Sequence, residues 1–231
     1  MVFADMPYGI LKKLPWDCAI DLSLFWPRAQ TFSSPETVFV FTASMLFAST
    51  LIVSNRGNFK YDLVWEKKLS SSFLLAKHRP MNYHENILVF YKKRGTYNPQ
   101  MEHRKCVRRG RWDAELKKGK HNFIDKNAER KPYIYTDSIY PKSILAGLNE
   151  HTRKQGLHPT QKPVALLEWL VATYTNPGDT VLDPVMGSGT TGVACARLGR
   201  NFTGIEKDPQ YFATASKRIA DERARLGLSN D

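Results

Sequence analysis

Thr180-Val-Leu-Asp183-Pro-Val-Met-Gly187-Ser-Gly189-Thr-Thr-Gly192 runs from a short branched and apolar stretch into closely spaced glycines, and Asn201-Phe-Thr-Gly-Ile-Glu206 follows a few residues later. The first stretch predicts a strand over Thr180–Asp183, the glycines a loop, and the run from about Thr191 to Leu198 a helix. Asn201–Glu206 predicts a second strand and about Pro209 to Arg225 an amphipathic helix. A strand, a helix and a second strand form a β-loop-α-β unit with a right-handed crossover, which implies an α/β domain around a mostly parallel sheet. Upstream, Val164–Tyr174 has apolar residues at helical spacing and Asn176-Pro-Gly-Asp179 is a turn.

A strand that enters glycines and then a helix lets backbone N–H groups approach a ligand. The lysine of a GxxxxGK[ST] phosphate loop is missing, and GxGxxG is matched only loosely after Gly192. A nucleoside without phosphates fits better. Glu206 ends the second strand where a carboxylate accepts hydrogen bonds from both ribose hydroxyls, so the pair suggests an adenosyl cofactor. The competing reading is structural: the glycines make a tight turn and Glu206 is a solvated strand end.

At the other end of the chain, Val2-Phe-Ala4 is apolar enough to finish a buried strand, and Asp5-Met6-Pro7-Tyr8 leaves it. An exocyclic amine on a nucleobase is a poor nucleophile because its lone pair is delocalised into the ring. If the Asp5 carboxylate and the Met6 carbonyl accept its two N–H bonds, the nitrogen becomes more tetrahedral and more nucleophilic. Pro7 stiffens such a loop, and Tyr8 offers a face on which an extruded base can stack. An ordinary turn with a core tyrosine is the alternative.

Between these ends, Thr37–Thr42 and Ser49–Ser54 read as buried strand material around a short helix, and Tyr61–Trp65 and Glu85–Tyr91 as strands. The uncharged stretch Thr37–Asn55 approaches the length of a membrane span, but its recurring Thr, Ser and Asn residues favour soluble structure, and no secretory signal is expected.

The 231 residues, 42% of them hydrophobic and 24% charged, exclude a disordered or collagen-like chain and allow one large α/β domain. Cys18, Cys106 and Cys195 are odd in number and far apart, so neither a disulfide framework nor a zinc site is expected, and a reducing cytoplasm fits. The formal charge of +12 points to a polyanionic partner. Lys92 to Lys131 holds fourteen Lys or Arg against five Asp or Glu, so nine of those twelve charges lie there, and its lack of period predicts an irregular insertion. Within it, Arg104, Arg108, Arg109, Arg111, Lys117 and Lys118 are of the type that tracks phosphates, and Trp112 or Tyr97 could stack on a base. A solvated loop is the plain alternative.

Taken together, these residues resemble the amino-group DNA methyltransferases, in the circularly permuted order called the beta class. Asp5-Met-Pro-Tyr8 corresponds to the catalytic tetrad, usually D-P-P-Y. Leu75-Ala-Lys-His-Arg-Pro80 and His84-Glu-Asn-Ile-Leu-Val-Phe90 match the catalytic half, and His158-Pro-Thr-Gln-Lys-Pro163 precedes the cofactor helix. Asp183 to Thr191 matches the cofactor loop and Gly204-Ile-Glu206 the ribose-binding end.

The resemblance implies a Rossmann-like methyltransferase domain over residues 1–231 with an embedded target-recognition insertion at about 92–131. It implies methyl transfer from S-adenosylmethionine to a flipped-out base in double-stranded DNA, by direct displacement without a covalent enzyme intermediate. Asp5 at the tetrad head points to N6 of adenine, since N4-cytosine enzymes more often carry Ser there. Cofactor contacts are implied for Asp183, Pro184, Gly187, Ser188, Gly189, Thr190 and Glu206, with Thr160 and Lys162 near the methionine end. Arg79 and His84 fall on the target-base side, His84 as a positioning rather than a proton-transferring residue. Met6 departs from the usual proline. Family members commonly carry a segment ahead of the tetrad with a Gly-Asp element at the adenine edge, and only four residues precede Asp5 here. The expectation is that the native start lies upstream or that Asp208 covers that edge. The family context is compatible with a homodimer and a cognate restriction endonuclease, and implies no membrane. The competing functions are N4-cytosine methylation and a catalytically silent DNA-binding module, with RNA methylation third.

Overall fold

The computed structural model describes residues 1–7, 20–70, 72–103, 138–149 and 161–228. They belong to two compact units, residues 1–98 with 142–231, and residues 99–141. The larger unit carries, in chain order, β1 (Val2–Ala4), α1 (Leu22–Thr31), β2 (Phe39–Ala43), α2 (Met45–Ser54), β3 (Phe59–Glu66) and β4 (His84–Phe90). In the smaller unit β5 (Glu102–His103) pairs antiparallel with β6 (Ser138–Ile139). The larger unit resumes with β7 (Ile144–Leu145), α3 (Val164–Tyr174), β8 (Thr180–Asp183), α4 (Thr190–Leu198), β9 (Asn201–Gly204) and α5 (Pro209–Arg225).

Its sheet has the order β7-β3-β4-β2-β1-β8-β9. β1 is parallel to β2 and β8, β8 to β9, and β3 to β7, whereas β4 is antiparallel to both β2 and β3. β4 is therefore the one strand of this sheet that runs against the others. The sheet is mostly parallel and helix-covered on both faces, as parallel strands with buried faces require.

Alternation along the strands divides the core. Phe3, Val40, Ile87 and Val89 turn toward Leu166, Leu167 and Leu170 of α3 and Val193 of α4. Val2, Ala4, Phe41 and Phe90 turn the other way, toward Trp26 of α1 and Leu51 of α2. Each such large apolar side chain contributes about 1.5–3 kcal/mol on burial. Trp26 Nε1 also donates to Ser54 Oγ at 2.9 Å, joining α1 to α2.

Ser49–Ser54, expected as strand from its branched residues, is instead the second half of α2. Short apolar runs do not distinguish strand from helix by periodicity alone. Here Ser44 starts a ten-residue helix that buries Ala48 and Leu51, three residues apart on one face. No helix among the described residues is long and apolar enough to cross a membrane. β9 stops at Gly204, so Glu206 stands two residues beyond the strand rather than ending it.

Candidate active site

From β1 the chain passes through α1 to β2 on one side, and from β8 through α4 to β9 on the other. β1 and β8 are neighbours, so the sheet's topological switch point lies between them, where open α/β sheets form a crevice beyond the strand carboxyl ends. Asp5 leaves β1 and Asp183 ends β8 at that crevice. The β1–β2 register aligns Ala4 with Phe41, and carried on by one residue it sets Asp5 beside Thr42.

Thr42 Oγ1 donates to Asp5 Oδ1, and Lys162 Nζ donates to Asp5 Oδ2 at 2.6 Å. Lys162 stands just before α3, whose N-cap is Pro163. Because β4 is reversed, its first residues rather than its last reach the carboxyl edge. Glu85 is one of them, with Oε2 3.4 Å from Lys162 Nζ and Oε1 accepting from Lys67 Nζ at 2.9 Å. The Lys162 side chain is only 10% exposed. Burial works against its charge, yet Asp5 and Glu85 outweigh that and hold the ammonium above its ordinary range. Burial likewise pushes Glu85 upward, but Lys162 and Lys67 together keep its carboxyl below the usual range.

On the β8 side, Asp183 organises the loop. Its Oδ1 accepts from Val185 N at 3.1 Å and its Oδ2 from Thr191 Oγ1 at 2.6 Å, tying the strand end to the first turn of α4. Burial raises its carboxyl to about 7 against those two hydrogen bonds, and Asp5 and Glu206 add to the rise. Gly187, at φ 51°, donates its N–H to Glu206 Oε2 at 2.9 Å, while Glu206 Oε1 accepts from Asp208 N at 2.9 Å.

Several sequence-predicted residues have side chains turned to structural work. Ser188 and Thr190 are buried, and Arg218 Nη1 reaches Ser188 O, Ser188 Oγ and Thr190 Oγ1 at 2.5, 3.1 and 3.3 Å, so they face α5. Gly189 caps α4 at φ 75°, where a Cβ would meet Ala215 Cβ at 2.8 Å. Asp208 Oδ1 caps α5 by accepting from Gln210 N and Tyr211 N. Pro184 and Pro7 are half-buried in their loops. Met6, which stands where the family usually has proline, is buried and packed with the aliphatic and aromatic cluster beneath β1.

Arg79 and His84 are exposed, His84 in register with Glu66 at the carboxyl edge. Tyr97 tilts against Tyr174, ring centroids 6.4 Å apart. Tyr8, Thr160, Arg104, Arg108, Arg109, Arg111, Trp112, Lys117 and Lys118 lie outside the described residues. Thr42, Glu85, Lys67 and Arg218 were not anticipated. A hydroxyl closing Phe39-Val-Phe-Thr42 and an acid opening an otherwise apolar strand at Glu85 were the available signals.

A family model described as DNA methylase matches residues 1–217. Type II methyltransferase M2.DpnII of Streptococcus pneumoniae is 52% identical over 67 residues, 29% of this chain and 25% of that protein. Type II methyltransferase M2.LlaDCHI of Lactococcus lactis subsp. cremoris is 50% identical over 96 residues, 41% of this chain and 35% of that one. The matched stretches thus span well under half of either relative. Among solved structures, the M1.HpyAVI–SAM complex is 27% identical with a TM-score of 0.60, covering 94% of this chain and 87% of that one. The cytosine-N4-specific PvuII DNA methyltransferase shares the fold, with a TM-score of 0.63 at 17% identity over 97% of this chain and 84% of that one.

Proposed function

The chain belongs to the DNA methylase family, and from that premise we propose that it methylates the exocyclic amine of a DNA base, with N6 of adenine as target and S-adenosylmethionine as donor. The observation that carries this is the pairing of β1 with β8, which brings the Asp5 turn and the glycine loop to one crevice.

The crevice suits that cofactor by the chemistry of its donors. Each Glu206 oxygen takes one backbone N–H and keeps a lone pair for a ribose hydroxyl. Gly187 leaves backbone without a side chain over the loop, which the buried Asp183 orders through Val185 N and Thr191 Oγ1. When bound, S-adenosylmethionine would supply a sulfonium-activated methyl group for direct displacement by the amine, with the amine's proton passing to solvent.

The chain's own groups would orient the amine. Asp5 and the Met6 carbonyl accept its two N–H bonds, with Thr42 and Lys162 holding the Asp5 carboxylate in place. Pro7 stiffens the loop, and Tyr8 stacks on the extruded base. Adenine is favoured by a carboxylate rather than a hydroxyl at the head of the tetrad. Arg79 and His84 serve the target base, and the basic segment at about 92–131, as an insertion, contacts DNA phosphates.

Labelled S-adenosylmethionine and unmethylated genomic DNA, followed by nucleoside analysis, test the proposal. N6-methyladenine is the expected product. N4-methylcytosine would move the target to cytosine, and DNA retention without transfer would leave a binding module.

A further inference from the structure

Lys162 lies between two carboxylates that use it unequally. Its Nζ is 2.6 Å from Asp5 Oδ2 and 3.4 Å from Glu85 Oε2. Glu85 Oε2 is buried and, among the described residues, makes no well-aligned hydrogen bond, its ion-pair partner being Lys162, while Oε1 is held by Lys67. A buried carboxylate oxygen served only by a shared ammonium at 3.4 Å is under-satisfied, and that calls for an explanation. Glu85 faces this cluster because β4 begins at the carboxyl edge, where Trp65 is its cross-strand partner.

We propose that Glu85 is a positioning residue that shares Lys162 with Asp5, so that Asp5 keeps its negative charge for the target amine. This rests on the assignment of Asp5 as acceptor for that amine. The amine nitrogen gains positive charge as it takes the methyl group. A carboxylate fully neutralised by a lysine 2.6 Å away stabilises that charge poorly. With Glu85 present, its carboxylate and that of Asp5 balance the ammonium groups of Lys162 and Lys67, so the charges of these four groups sum to zero. Without it, the cluster carries one net positive charge beside a nitrogen that is becoming cationic. Glu85 Oε2 also gives Lys162 an acceptor already in place when the amine engages Asp5. No proton moves in this exchange.

The test uses the full chain, single-turnover transfer from labelled S-adenosylmethionine to unmethylated genomic DNA, and binding of S-adenosylhomocysteine, which lacks the sulfonium charge. Glu85→Gln should slow transfer at saturating DNA and cofactor by about tenfold or more, the scale of one uncompensated charge in a part-buried site. Affinity for S-adenosylhomocysteine should stay within about twofold, well under the 1.4 kcal/mol of a tenfold change. Adding Lys67→Met to Glu85→Gln restores the charge balance and should recover a substantial part of the rate, which a merely structural role would not give. Full speed in Glu85→Gln, no recovery in the double variant, or a loss that appears as weakened S-adenosylhomocysteine binding overturns the proposal. Asp5→Ala separates the two layers. If it stays active, the assignment of Asp5 itself fails; if it is silent while Glu85→Gln runs at full rate, only the role of Glu85 fails.

Discussion

Val2 stands in parallel register with Leu182, although one opens the chain and the other lies near its far end. From that rung, β1 delivers Asp5 and β8 delivers Asp183 to the same crevice. Their carboxylates are close enough for Asp5 to raise the proton affinity of Asp183.

Asp5→Ala should abolish methyl transfer while leaving cofactor affinity nearly unchanged. Loss of a positioned electrostatic partner costs on the order of 100- to 1000-fold in rate. Rapid-quench transfer together with calorimetric S-adenosylhomocysteine titration checks both halves, and an active Asp5→Ala chain would remove Asp5 from the chemistry.

Asp183 makes stability depend on pH in an unusual direction for a carboxylate. Its folded value of about 7 lies above the ordinary 3.8, so between those limits the folded state binds more protons than the unfolded one. Its contribution is fully present below about pH 4 and is lost as pH rises through about 7. Glu222, held at about 2 by Arg225 and Arg197, acts the other way, and only below its ordinary 4.5. In urea unfolding across pH 5 to 7 the parent chain should therefore lose more stability with rising pH than Asp183→Asn does. An unchanged slope in the variant would place the dependence elsewhere.

Gly189→Ala should destabilise the domain. The new Cβ would lie 2.8 Å from Ala215 Cβ and 3.0 Å from Ala215 Cα, at a backbone φ of 75°. Overpacking costs about 1–3 kcal/mol, and the left-handed backbone about 1–2 kcal/mol more. Calorimetry should record a Tm lowered by roughly 2–4 °C for each kcal/mol; an unshifted Tm would show that α4 and α5 can separate without cost.

Much of this site could be read from residue order, because its key features are local. Glycines between Asp183 and Gly192 mark a strand-to-helix turn wherever they occur, and Val2–Ala4 with Asp5 marks a strand leaving the core. What escaped was set by the reversal of β4 and by register. Nothing local to Glu85 says that its strand runs backwards, yet only that direction brings it to Lys162. Thr42 likewise acquires its role from alignment with Asp5 across β1 and β2. The resemblance implies Ser188 and Thr190 as cofactor contacts, and nothing local says that Arg218, a helix away in sequence, hydrogen-bonds both side chains. The strand expected at Ser49–Ser54 failed for a different cause, since Val, Ile and Thr are tolerated in a helix when packing favours it.

Replacing Arg108, Arg109 and Arg111 together by Ala should weaken DNA binding and lower the slope of log affinity against log salt by about 0.9 for each phosphate no longer neutralised. Fluorescence anisotropy at several salt concentrations measures it, and an unaltered slope would take these arginines out of the interface.

The placement of β1 between β2 and β8 also bears on how the protein is made. During synthesis β1 can pair early with β2, but its second edge stays bare until Thr180–Asp183 has emerged from the ribosome. At about 5–20 residues per second, that leaves the strand edge unprotected for roughly 7–28 seconds. Such long-range parallel pairing is slow to form. The crevice is thus complete only once Thr180–Asp183 has been made and has paired with β1.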